Sequence, residues 1–420
     1  MKRNIFTIAL MGIMMAGCDQ FDEASDAAMI APIEVSVELE ITQSHVNAGD
    51  QMNIVLDNYN DGIHVEKTFT GSNCKVDGLI PGVYTVKVSG SAYDGEGSEY
   101  ILNGNLLNTN LLYDGASIVV SMQGLKVSPL VFSEIYFCGS KPPVGFSYFR
   151  DQFYEIYNNS STVQYLDGLY FANLTPGTAT RSLPIWPEED GSDYCYAERV
   201  WRFPGNGAEY PLQPGEAAVL SQFAANHQHE RYNPNSPIDG SSSDFEFYMG
   251  NTNFPDQPAV NMEHVFYNGK NEYGLPQYLT SVFGGAYVVF KVPDDESYDP
   301  VGDPKLSTTD LSTTRPTLYA KIPIRYVLDA VEAIHNDTYS DAKRVPAVLD
   351  GGFTYVGATY IGKGVTRRLA LDSDGNPLTR DNGAVIFQDT NNSTDDFERG
   401  VDPVMHRHSK MAPWNHTLAR

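Results

Sequence analysis

A chain of 420 residues has the length of two or three ordinary domains, and 53 acidic against 28 basic side chains give it a net charge of −25. A surface of that sign repels phosphate backbones, so no nucleic-acid partner is expected. Charged residues are only 19 % of the chain, while Tyr (26), Phe (20), Gly (36) and Pro (25) are abundant, a balance that argues against disorder and for packed β-structure with long loops.

Residues 1–18 read as an export signal. Lys2 and Arg3 supply a positive start, and Ile5 to Met15 supply an apolar run that is too short for a bilayer, which needs about 20 residues. Met15-Ala16-Gly17-Cys18 then closes the run with small residues before a cysteine, which resembles a bacterial lipobox. That resemblance implies cleavage after residue 17, acylation of the Cys18 thiol and attachment to a membrane by lipid alone. Residues 18–32 follow as an acidic, alanine-rich tether. Asp19, Asp22 and Glu23 resemble the acidic signal that sends lipoproteins of the Bacteroidota to the outer face of the outer membrane.

From Ile33 the apolar residues alternate: Ile33, Val35, Val37, Leu39 and Ile41 are separated by Glu34, Ser36, Glu38 and Glu40. Period two predicts a half-buried strand. Turn signals at Asn47-Ala-Gly and Asn60-Asp-Gly, then Leu79-Ile-Pro-Gly-Val-Tyr-Thr-Val-Lys-Val, continue the pattern, and Ile101 to Met122 adds one or two more strands. At Pro81-Gly82 proline presets φ and glycine tolerates positive φ. Residues 33–124 are expected to form a small antiparallel β-sandwich similar to immunoglobulin-like or prealbumin-like modules.

Five phrases follow in order: Val131-Phe-Ser-Glu-Ile-Tyr-Phe; Phe153-Tyr-Glu-Ile-Tyr-Asn-Asn-Ser-Ser; Tyr165-Leu-Asp-Gly-Leu-Tyr-Phe; Pro211-Leu-Gln-Pro-Gly-Glu-Ala-Ala-Val-Leu-Ser; and Val385-Ile-Phe-Gln-Asp-Thr-Asn-Asn-Ser-Thr-Asp-Asp-Phe. Their order resembles the lamin-tail domain, an immunoglobulin-like sandwich, spread over residues 125–400. Residues 174–200, 222–280 and 293–320 read as insertions into it, and loops of that length usually carry function. Ile324, Val327, Leu328, Val331 and Ile334 have helical spacing after Pro323, whereas the lamin-tail resemblance places a strand there; helix and strand both stand. Residues 401–420 read as a C-terminal tail. The expected fold is all-β, two tandem antiparallel sandwiches, in a layout that resembles an uncharacterised family of Bacteroidota lipoproteins.

Four cysteines are present, and lipidation of Cys18 leaves three, which cannot all pair. A Cys138–Cys195 disulfide with a buried free thiol at Cys74 is expected. GxSxG, HExxH, GxxxxGK[ST] and GxGxxG are all missing, which removes the common enzyme readings. His227 and His229, and again His406 and His408, stand two apart, a spacing that puts both rings on one face of an extended chain and suits zinc or copper(II). Solvated loop histidines are the plainer reading. Asp372, Asp374 and Asn376 space oxygen ligands as a calcium loop does, although a hairpin turn needs the same residues. Trp186, with Tyr194 and Tyr196 nearby, is a candidate platform for a sugar ring or a protein partner, while Trp201 belongs to the core. Arg367 and Arg368 are expected to find ion-pair partners inside the protein. No cofactor is required. The expectation is a non-enzymatic, surface-displayed lipoprotein that captures a nutrient ligand or docks to a TonB-dependent outer-membrane receptor. Glycan binding by loop aromatics and a metal-assisted hydrolase at His227/His229 are the alternatives.

Overall fold

The computed structural model describes residues 30–42, 46–58, 61–95, 99–126, 129–160, 162–340, 343–371, 377, 379–380 and 382–415. Cys18 and the candidate calcium residues Asp372, Asp374 and Asn376 lie outside them. The chain divides into two compact units, Met1–Leu125 and Lys126–Arg420. It is all-β, and among the described residues helix is confined to single turns.

The first unit contains β1 (Ile33–Ile41), β2 (Val46–Asn58), β3 (Ile63–Phe69), β4 (Asn73–Leu79), β5 (Gly82–Asp94), β6 (Glu99–Leu111) and β7 (Ala116–Lys126). They are ordered β3-β2-β5-β6-β7-β1-β4, with β1 parallel to β7 and antiparallel to β4. The alternation read in β1 is real: Ile33, Val35, Val37 and Leu39 are buried together with Met52, Ile54, Leu56, Val86 and Val88, so both halves of the strand order share one core. Gly82 serves a different purpose from the one expected. Its φ is not positive; instead, a Cβ there would stand 2.5 Å from the Asn58 amide nitrogen, so only glycine lets the two strands approach.

The second unit begins with β8 (Leu130–Tyr136), β9 (Phe153–Asn158), β10 (Gln164–Tyr165), β11 (Tyr170–Leu174) and β12 (Tyr194–Arg202). It continues with β13 (Pro211–Leu212), β14 (Glu216–Ser221), β15 (Phe245–Glu246), β16 (Val260–Asn261), β17 (Glu263–Tyr267) and β18 (Ala286–Phe290). β19 (Ser307–Thr309), β20 (Leu318–Pro323), β21 (Val327–Ile334), β22 (Thr354–Tyr355), β23 (Gly364–Arg367), β24 (Phe397–Val401) and β25 (Lys410–Met411) complete it. One sheet runs β19-β20-β12-β11-β18-β21-β22 with β17 also on β12; the other runs β16-β15-β14-β9-β8-β23-β24 with β25 on β14. Between them lies an aromatic core that includes Phe132, Tyr154, Phe171, Trp201, Phe247 and Tyr287. A further core around Ala197, Val200, Val288 and Ile322 covers the other face of the first sheet. Central strands are therefore buried on both faces, and β8, β9, β14 and β18 have no exposed residue.

Two expectations change, and the open choice after Pro323 falls to the strand that the lamin-tail resemblance placed there. The segment after Pro323 is a single 3-10 turn, Ile324–Tyr326, followed by the strand β21, because the buried face of that segment belongs to a sheet. The last seven residues of the expected insertion 174–200, from Tyr194 on, belong to the central strand β12. Residues 401–415 are not a loose tail, since β25 and Trp414 pack into the second unit.

The two sheets are joined by buried charge. Arg367 on β23 contacts Asp329 on β21 at 2.6 Å, Asp389 at 3.2 Å and Asp396 at 3.7 Å, and donates from Nε to the Phe132 carbonyl at 2.8 Å. Asp329 also accepts the Phe132 amide at 2.6 Å. Burial would lower the guanidinium pKa, but its three carboxylates outweigh that and raise it. The expectation for Arg367 holds, whereas Arg368 is exposed and caps the Phe397 carbonyl. Replacing Arg367 with Met leaves three buried carboxylates without a cation and is expected to cost ~3–5 kcal/mol in chemical denaturation. Lys75→Ala, which breaks the exposed pair with Glu34, is expected to cost less than ~1 kcal/mol.

Candidate functional site

The β11–β12 ladder carries an irregularity that decides where one side chain goes. Asn173 opposes Arg199 and Leu174 opposes Ala197, so Glu198 is an extra residue on β12. A bulge of this kind switches the face to which the following residues point. Ala197 lies in the outer core with Leu174, whereas Arg199 falls on the inner face with Trp201. Arg199 then stands in a cross-strand row, Tyr267 on β17, Arg199 on β12, Asn173 on β11 and Tyr287 on β18.

Arg199 is only 4 % exposed. Its guanidinium lies 4.0 Å from the Tyr267 ring and 5.9 Å from the Tyr278 ring, and Nη2 donates to the Pro276 carbonyl at 3.0 Å. It makes no ion pair among the described residues, and Nη1 has no hydrogen-bond partner there. Burial pulls its pKa below the ordinary value. Asn173 Oδ1 and Gln277 Oε1 are equally without partners. All three residues line one cleft of about 680 Å³. Its walls come from residues 173–184, 267–281 and 310–319, so the three stretches read as insertions meet at one place. Gly177 lets the first wall close on the strand: a Cβ there would stand 2.3 Å from Glu198 Oε2 and 3.2 Å from Asn173 Nδ2. Glu198 Oε2 accepts the Gly177 amide at 3.0 Å, and Asp310 Oδ1 accepts those of Ile185 and Ser312 at 3.0 and 2.8 Å.

The aromatic platform expected from sequence is adjacent but committed to packing. Trp186 stacks on Tyr196 at 4.0 Å and meets the Tyr319 ring edge-on at 5.5 Å. Tyr196 donates to Asp190 at 3.0 Å, and Lys321, paired with Asp190, sits 4.2 Å over the Tyr194 ring. Tyr319 lines the cleft; Trp186, Tyr194 and Tyr196 do not. A second cleft of about 800 Å³ is lined by Tyr170, Arg202, Glu263, His264 and Tyr298 among others, and its Arg202 is paired with Glu263 at 2.7 Å.

The histidine pairs are not brought together. Both occur in turns, so the same-face spacing of an extended chain does not apply. His227 is buried with Nδ1 at 2.7 Å from the Tyr148 hydroxyl and Nε2 at 2.8 Å from the Phe223 carbonyl, while His229 is exposed. His406 bonds Ser409 at 3.0 Å, and His408 is exposed beside Phe387. No group of three His, Cys, Asp or Glu side chains with metal-holding geometry occurs among the described residues. The expected disulfide is also absent: Cys138 and Cys195 are free thiols in separate cores, and Cys74 is a half-buried free thiol.

The turn holding His406 is anchored by buried carboxylates. Glu134 accepts the Val404 amide at 2.5 Å and pairs with Arg407 at 3.0 Å; Glu155 accepts the His406 amide at 2.5 Å; Asp244 accepts the Asn415 side chain at 2.5 Å. Burial pushes Glu134 and Asp244 up to about 7, and pushes His227 and His406 down to about 4. A carboxyl raised in the fold contributes stability at low pH and loses it as pH rises through about 7. A depressed imidazole loses its contribution as pH falls from 6.5 through about 4. Between pH 8 and 6.5 the raised carboxyls, Glu246 at about 7 among them, take up protons in the fold and outweigh the first protonation of the unfolded-state imidazoles, so the melting temperature is expected to rise as pH falls across that window. Calorimetry at three pH values tests this, and a falling melting temperature would refute it.

Residues 213–404 match the family described as a protein of unknown function, DUF4876. A crystal structure of a DUF4876 family protein from Bacteroides thetaiotaomicron VPI-5482 has 61 % sequence identity and a TM-score of 0.70, covering 92 % of this chain and 100 % of that one. A crystal structure of a candidate adhesin from Bacteroides ovatus ATCC 8483 aligns over 74 % of this chain and 88 % of that chain, at 12 % identity and a TM-score of only 0.20. No curated protein matches. With 61 % identity maintained over nearly its whole length, the chain belongs to the DUF4876 family.

Proposed function

We propose that this protein is a lipid-anchored binding protein of the bacterial outer membrane, displayed outward through Cys18 and accessory to a TonB-dependent uptake system. It acts by holding a ligand rather than by chemistry. The observation that carries this reading is the cleft at Arg199: three long loops converge on a recess whose floor has unused hydrogen-bonding capacity. Buried polar groups are normally satisfied, and unsatisfied ones gathered in a concave site are what a ligand would complete.

The anchor reading rests on the sequence of residues 1–23. No helix among the described residues is long and apolar enough to cross a membrane, so acylated Cys18 is the attachment that the reading requires. Two rigid sandwiches behind an acidic tether suit display at a distance from the lipid surface.

Expression in a Bacteroides host tests the placement. Wild-type protein is expected in the outer-membrane fraction and to be cleaved by protease added to intact cells. Cys18→Ser is expected to leave the membrane fraction altogether. Co-purification of a β-barrel receptor with the wild-type protein from solubilised outer membranes supports the accessory role, and a wild-type protein that stays periplasmic and protease-resistant refutes surface display.

A further inference from the structure

Resting on the reading of the cleft as a binding site, we infer that its occupant is a neutral, polyhydroxylated ligand, an oligosaccharide, and not an anion or a cation. The inference follows from which atoms on the floor lack partners. Arg199 Nη1 is an unused donor, whereas Asn173 Oδ1 and Gln277 Oε1 are unused acceptors. A carboxylate or phosphate has only acceptors to offer. It would satisfy Arg199 but would turn its oxygens toward the two amide oxygens. A cation would satisfy the amide oxygens and face the guanidinium. A hydroxyl donates and accepts at once, so adjacent hydroxyls on a sugar ring answer both kinds of atom.

The charge of the cleft points the same way. Glu198 and Asp310 line it with a single arginine, so it presents no net positive field for an anion. Tyr267 and Tyr319 add ring surface for the apolar faces of a sugar. The three unpartnered atoms are closed to solvent; Tyr278 is fixed in the core against Phe171, Trp201 and Phe247, but the segment before it, residues 276–277, is held by few bonds. Pro276 accepts from Arg199, and Gln277 donates to the Phe247 carbonyl at 2.9 Å. A ligand hydroxyl that takes the place of the Pro276 carbonyl on Arg199 would open this segment and reach the floor. The sugar site is thus assigned to the cleft and not to the Trp186, Tyr194 and Tyr196 cluster beside it.

The test is binding of the full mature chain to a panel of neutral gluco-, manno-, xylo- and galacto-oligosaccharides and of acidic uronic-acid oligosaccharides, followed by calorimetric titration. At least one neutral oligosaccharide is expected to bind, with affinity reduced ~10-fold or more by Gln277→Leu or Asn173→Leu, the loss associated with removing one buried hydrogen-bond partner. Gln277→Leu also removes a donor to the Phe247 carbonyl, so both variants are expected to melt below wild type while remaining folded at the titration temperature, which the melting curve of each checks. Asp294→Ala, in the second cleft, is expected to bind as wild type. Binding of acidic oligosaccharides alone, binding of none, or neutral binding that survives the Gln277 change each overturns the inference. If no sugar binds but the protein is surface-exposed and retains a membrane receptor, the binding-protein reading stands without its sugar.

Discussion

Arg367 sits where the two sheets of the larger unit meet, and much of that unit depends on how its charge is neutralised. Its guanidinium is 2 % exposed and draws together Asp329 from one sheet, the Phe132 backbone from the other, and Asp389 and Asp396 from the loop preceding β24. Each of these groups would be costly to bury alone. Together they exclude arrangements in which the sheets slide or the loop detaches, because any slip leaves a bare charge in the core. The loop is shaped by the same demand: Asp396 accepts from the Thr390 and Asn392 amides at 2.9 and 3.2 Å, and Asp350 accepts from the Ser393 amide and hydroxyl at 2.8 and 2.7 Å.

This is a general solution in the unit. Sheets buried on both faces cannot send their polar residues to solvent, so each buried charge carries its partner with it. Glu332 takes the Arg344 guanidinium at 2.7 Å together with the Arg344 and Val345 amides at 2.8 and 3.0 Å. Glu134, Glu155 and Asp244 take the amides and side chains of residues 404–415 in the same way, so that segment is held by polar contacts as well as by Met405, Ala412 and Trp414 on the core. Arg199 departs from the pattern. It is as buried as Arg344, yet it has aromatic faces and one carbonyl where the other two buried arginines, Arg344 and Arg367, have carboxylates. That contrast with Arg344 and Arg367 is what the proposed binding reading rests on.

How much of this was legible in the sequence depended on whether the signal was local. The alternation in β1 needed only a half-buried strand, and Trp201 needed only an apolar context, so both were readable. The phrase Asp389-Thr-Asn-Asn-Ser was recognisable, but its reason was not, because its partner Arg367 is separated by a loop and Asp329 lies on another sheet. The shared face expected of the histidine pairs does not form, because period-two geometry holds only in extended chain and both pairs are in turns. The disulfide failed because cysteine arithmetic says nothing about which core a thiol enters. Arg199 was missed altogether. Its one local sign was a charged residue inside Tyr194-Cys-Tyr-Ala-Glu-Arg-Val-Trp-Arg, a stretch otherwise fit for burial, and the bulge at Glu198 that aims it depends on pairing with β11.

The same bulge links fold to function. Without the bulge, strict alternation from Ala197 would carry position 199 to the outer core beside Ala197 and Ile322, away from the cleft. One inserted residue moves it to the end of the inner core, against Tyr267 and beneath the segment that follows Pro276. The long loops then have a specific task. They do not merely decorate a sandwich; all three help to line the cleft that Arg199, Asn173 and Gln277 share. On the proposed reading, a site made this way would owe its selectivity to the mixture of donors and acceptors and little to net charge. It would therefore keep that selectivity on a protein that is as acidic overall as this one.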